Sequence, residues 1–130
     1  MESKSLKKIS DAELTEAAFL YSRALARIIE TTHQSNQHQF LDSLEKAYHV
    51  QILFMKPSDS LLRRVERLVI EAYTSGAEVT TIGDNLQRMG SDSLLYTKPL
   101  MKERPDGSLE FDKALAFRIP KKQVILSMKE

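Results

Sequence analysis

The sequence predicts an α+β protein with an N-terminal helical hairpin, a helical core and a small C-terminal antiparallel β-sheet. Three observations carry this. Residues 10–33 hold apolar side chains at steps of three and four, the period of an amphipathic helix. Residues 58–75 repeat that pattern between a cap signal and a glycine. From Leu94 onward, short apolar runs are separated by Arg104-Pro105-Asp106-Gly107 and by Pro120-Lys121-Lys122, so turns recur at strand spacing.

The first helix has a defined start. Ser10 can cap it, Glu13 three residues on completes a capping box, and Ile9 and Leu14 occupy the positions of a hydrophobic staple. Leu14, Ala17, Ala18, Tyr21, Leu25, Ile28 and Ile29 form its stripe, and Phe19, Leu20 and Ala24 widen it. Residues 31–39 are polar and read as a loop. A second helix is expected over His38–His49, with Phe40, Leu41, Leu44, Ala47 and Tyr48 on one face. Val50–Met55 is strand-sized, and Lys56-Pro57 ends it. Residues 1–8 are expected to fray. The rest forms one domain, hairpin 9–49 and core 50–130.

In the core, Ser58 or Asp59 is placed to cap a helix carrying Leu61, Leu62, Val65, Leu68, Val69, Ala72 and Tyr73, with Gly76 just past its end. Ala77–Thr80 reads as extended. Ile82, Leu86 and Met89 suggest a short helix that stops at Gly90. Leu94–Glu103, Ser108–Ile119 and Gln123–Met128 read as three strands, with a bulge near Asp112-Lys113 where alternation fails.

Composition narrows function by exclusion. The 130 residues carry a formal net charge of +1 and no cysteine, which excludes disulfides, thiolate metal sites and cysteine nucleophiles and fits a cytoplasmic protein. No apolar run approaches the ~20 residues of a membrane span, and the polar N-terminus lacks a secretory pattern. The three histidines, His33, His38 and His49, lack metal-ligand spacing; no metal, cofactor or catalytic residue is expected. There is no GxSxG elbow, Walker loop or paired acid–base set.

The order of elements over residues 58–128 resembles a winged helix-turn-helix. That resemblance implies a regulator contacting DNA or RNA through a local basic patch of Arg88, Lys98, Lys102, Arg104, Lys121 and Lys122, the last two at the tip of the wing. Pro99 departs from the pattern. It requires that the recognition helix end at Thr97 or that Pro99 be the N1 residue of a later helix; otherwise 94–103 is a strand and no recognition helix exists.

The alternative is a protein–protein adaptor or chaperone-like subunit with no nucleic-acid contact. Its partner-binding candidates are Phe19 and Leu20 on the first helix, where a homodimer could form, and the cationic face Arg63, Arg64 and Arg67.

Overall fold

A computed structural model describes residues 10–32, 37–75 and 83–128. Among these the protein is mixed α+β: α1 (Asp11–Thr31), α2 (Gln37–Tyr48), β1 (Gln51–Met55), α3 (Arg64–Ser75), β2 (Asn85–Met89), β3 (Ser93–Glu103), β4 (Leu109–Pro120) and α4 (Lys121–Ser127). The four strands form one antiparallel sheet in the order β1-β4-β3-β2.

Strand alternation sends side chains to two faces, and each face has its own core. Leu94, Tyr96, Leu115, Phe117 and Ile119 meet Leu14, Ala18, Leu25, Ala26 and Ile29 of α1 and Val124 of α4, with Leu41, Leu44 and Tyr48 of α2 at the margin. On the opposite face Met55, Met89, Leu95, Ala114 and Ala116 meet Val69, Ile70 and Tyr73 of α3. The two alanines let α3 lie close to the sheet. Its Tyr73 hydroxyl reaches the buried Thr97 hydroxyl at 2.8 Å.

The predicted capping box is present: Ser10 Oγ accepts from the Glu13 N–H, and Glu13 Oε1 accepts from the Ser10 N–H. The loop histidine His33, the extended stretch Ala77–Thr80 and Gly76 lie outside the described residues. The helix after Pro57 starts later than its cap signal implied. Asp59 Oδ1 accepts the Leu61 N–H in a local turn. The start of α3 is closed instead by Glu66, whose Oε1 accepts the Arg63 N–H at 2.8 Å.

In the C-terminal half two predicted elements are corrected, and the strand predicted over 94–103 is present in place of the recognition helix that the resemblance implied. Asn85–Met89 is a strand, where a helix was expected: Leu86 packs toward α1 and Met89 toward α3, a split that odd spacing produces in a strand. Gly90, at φ 71°, opens the turn that returns the chain as β3. Residues 93–103 are also a strand, so the described residues contain no recognition helix. Pro99 is tolerated because β2 pairs with β3 only as far as Thr97, so Pro99 has β4 on one side and no strand on the other. Finally, Lys121–Ser127 is a helix, with Val124 buried and Ile125 and Met128 on the α1-side core; the apolar run fitted either period. The Arg104–Gly107 turn and the bulge are as expected, the register skipping Asp112 between Leu100 and Met101.

Candidate functional site

The two edges of the sheet are finished differently. On β1, the Ile52 N–H is taken by Glu45 Oε2 of α2 at 2.7 Å, so one outward amide of this strand has a side-chain partner. On β2, no backbone group bonds to any described element other than β3. The strand has no proline, lysine or bulge; its edge protection is its short length and the charged Arg88.

Beside this open edge runs a groove of about 320 Å³. One wall is α3, through Val65, Leu68, Val69 and Ala72, an i, i+3, i+4, i+7 strip; the other is β2, through Asn85, Gln87 and Arg88. Leu68 is 54% exposed despite its place in that strip. Asn85 Oδ1 is buried here without a hydrogen-bond partner. On the same helix but outside the groove lining, Arg64, Arg67 and Glu71 are exposed and form no ion pair among the described residues.

The cationic residues singled out in the sequence do not form one patch. Arg88 pairs with Asp11 at 2.7 Å, Lys98 with Glu30 at 2.6 Å and Arg104 with Glu110 at 3.2 Å. Lys102 lies near the far end of β3, whereas Lys121 and Lys122 follow Pro120, which pairs with Ser93 at its start. Nine residues of extended chain separate those levels, roughly 30 Å.

No protein-family model, curated protein or solved structure matches the chain.

The other candidates fall elsewhere. Phe19 is half-buried, its ring edge-on to Tyr96 and under the Arg23 guanidinium, while Leu20 is 65% exposed beside it. Arg63 lines a separate cleft of about 370 Å³ with His49, Gln51 and Arg118. The charge of Arg118 is spent on the fully buried Glu66, through Nε at 2.6 Å and Nη2 at 2.9 Å. Burial pushes the Glu66 carboxyl up, but these bonds and the Arg63 N–H outweigh it and hold the group below its ordinary value. Asp84 is held low as well, first by Arg23 and then by the Tyr96 hydroxyl, which donates at 2.8 Å. Burial first, and then that bond, raise the tyrosine, so it stays protonated.

Both networks tie elements together, Arg23–Asp84–Tyr96 joining α1 to the β2–β3 hairpin and Glu66–Arg118 joining α3 to β4. Among the described residues no three His, Asp or Glu side chains are grouped to hold a metal, and no helix is long and apolar enough to cross a membrane. The groove itself was hidden in the sequence, because residues 81–89 read as helix. Gly90-Ser91-Asp92 between Met89 and Ser93 was the signal for a hairpin.

Proposed function

We propose that this chain is a non-catalytic adaptor subunit that docks a protein partner along the α3–β2 face. One observation carries the reading: among the described residues no backbone group of β2 bonds beyond β3, and this edge is flanked by an apolar groove with a protruding leucine. An open edge supplies main-chain hydrogen bonds and the adjoining groove supplies specificity, the usual division of labour when a sheet recruits another segment. Arg64 and Arg67 add exposed positive charge to the same helix.

A nucleic-acid-binding regulator of winged-helix type is the competing reading. It draws on Lys102, Lys121 and Lys122, which have no ion-pair partner among the described residues. It is the weaker one, because the other three basic residues are neutralised by carboxylates and the free ones stand at opposite ends of the sheet. Phosphate-driven binding needs cations that converge.

A photo-reactive residue placed at position 68, with position 122 as control, tests the docking reading in cells. Discrete protein adducts at 68 and none at 122 are expected. Adducts at neither position, or nucleic-acid adducts at 122 alone, would remove it.

A further inference from the structure

We propose that the cleft of about 370 Å³ where α2 ends, α3 begins and β4 meets the start of β3 binds the phosphate group of a small molecule. It shares no lining residue with the α3–β2 groove and does not depend on the docking reading.

The polar lining is made of hydrogen-bond donors. His49, Gln51, Arg63, Ser93 and Arg118 come from separate segments of the chain, and no carboxylate lines the cleft. Arg63 is exposed, and its guanidinium is unpaired among the described residues. Its backbone N–H is held by Glu66 Oε1 at 2.8 Å, so the chain is fixed where this charge is carried. Arg118 is fixed through its side chain. Nε and Nη2 donate to Glu66, and Nη1 donates to Gln51 Oε1 at 3.3 Å. Three of the five guanidinium N–H groups are thereby used, and two remain. Glu66 balances the charge of Arg118, which leaves Arg63 as the uncompensated cation of the lining. With its oxygen taken by Arg118, the Gln51 amide has its NH2 to donate. Carboxylates on the flanking segments are held elsewhere, Glu45 by the Ile52 N–H and Asp59 by the Leu61 N–H. Asp92 is exposed and stands outside the lining.

His49 supplies a second observation. It ends α2 in the left-handed region, at φ 56°, while the Val50 N–H returns to the Glu45 carbonyl at 3.3 Å. Glycine fills this helix-ending position without steric strain. A histidine there accepts the strain and sets an imidazole on the cleft. Strained backbone of this kind concentrates at ligand clamps.

The arrangement of donors selects the ligand. A planar carboxylate is satisfied by one guanidinium fork, whereas donors arriving from several segments suit a tetrahedral group whose oxygens point in several directions. Phosphate also brings close to two negative charges at neutral pH, and no lining carboxylate opposes them. Val50 and Pro120 complete the wall with apolar surface for the body of a phosphate ester. The volume is that of a small-molecule site.

The test is an NMR titration of the full chain, at constant ionic strength, with phenyl phosphate, inorganic phosphate and benzoate. Phenyl phosphate should shift the amides of residues 49, 51, 63, 93 and 118 saturably, with a Kd of about 0.1–1 mM. Benzoate, which has the same ring on a planar anion, should bind about tenfold more weakly. Inorganic phosphate separates the two sources of the group: binding as tight as that of phenyl phosphate identifies free phosphate, and weaker binding identifies a monoester. Arg63→Gln, at an exposed position whose backbone bond survives, should weaken phenyl phosphate about tenfold. Arg27→Gln, which removes an equal charge from the exposed side of α1, should leave binding unchanged. His49→Gly should keep or raise the thermal midpoint and yet weaken binding, a split that a histidine serving only the helix end would not give.

Benzoate binding as tightly as phenyl phosphate overturns the assignment to phosphate. Shifts that never saturate, or that are the same in Arg63→Gln as in the wild type, show general attraction of anions to the surface and remove the site.

Discussion

Glu45 Oε2 sits 2.7 Å from the Ile52 amide nitrogen, so a side chain from α2 occupies a position that another strand would otherwise fill. The contact occupies one outward amide of β1, whereas among the described residues no backbone group of β2 bonds beyond β3. Replacing Glu45 by Ala removes the acceptor from a partly buried N–H. That costs about 1–3 kcal/mol and exposes a second edge to pairing. Urea unfolding should show the loss, and light scattering should show concentration-dependent aggregation that the wild type lacks. Unchanged values in both would mean that water replaces the carboxylate without cost.

The Glu66–Arg118 pair crosses from α3 to β4, with the carboxylate fully buried. Removing one partner strands the other. Arg118→Met alone should destabilise by about 3–5 kcal/mol, whereas Glu66→Leu with Arg118→Met should recover much of that. Chemical denaturation of the single and double variants gives the coupling directly. A single variant within ~1 kcal/mol of wild type would show that the pair behaves as an exposed one.

Acid stability follows from the same groups. Glu66 and Asp84 are held below their ordinary values of 4.5 and 3.8. A carboxylate with a lowered folded-state value adds stability that is fully present above its ordinary value. That stability declines as pH falls through the ordinary value toward the lowered one. Unfolding free energy should therefore be flat above about pH 5 and fall steeply below 4.5. Asp84→Asn should be less stable at neutral pH and show a shallower acid slope. An identical slope would exclude Asp84 from the linkage.

Ser22 Oγ is fully buried on α1 and has no hydrogen-bond partner. Ser22 lies between Ala18 and Ala26 on a strip of small buried residues, and its hydroxyl has lost water without replacement. Ser22→Ala should be neutral or stabilising by up to about 1 kcal/mol, read as a thermal midpoint. A loss of stability would show that the hydroxyl has a partner in solution.

The nucleic-acid reading has its own test. Lys121→Glu with Lys122→Glu should leave fluorescence anisotropy of labelled duplex and single strands where the wild type has it. If instead the wild type binds, and the double variant weakens that binding and flattens its salt dependence, the cations at the start of α4 are a phosphate site.

How much could be read in advance depended on the kind of signal. The start of α1 was legible because a capping box is local chemistry, and the Arg104–Gly107 turn because Pro and Gly fix its dihedrals. Asn85–Met89 and Lys121–Ser127 were misread for one reason: five to seven residues are too few to distinguish a period of 2 from 3.6. Pro99 pointed correctly to a strand, but where it is tolerated depends on where β2 stops, a tertiary fact. Arg64 and Arg67 were legible as a cationic face. Leu68 was counted as core, because nothing local says that the sheet beneath it ends at β2.

Amide hydrogen exchange on the unmodified chain tests the central claim most directly. If the β2 edge is left open for a partner, the amides of residues 85–89 that do not bond to β3 should exchange faster than that of Ile52, which Glu45 holds. Protection of those β2 amides equal to that of Ile52 would contradict an open docking edge at β2.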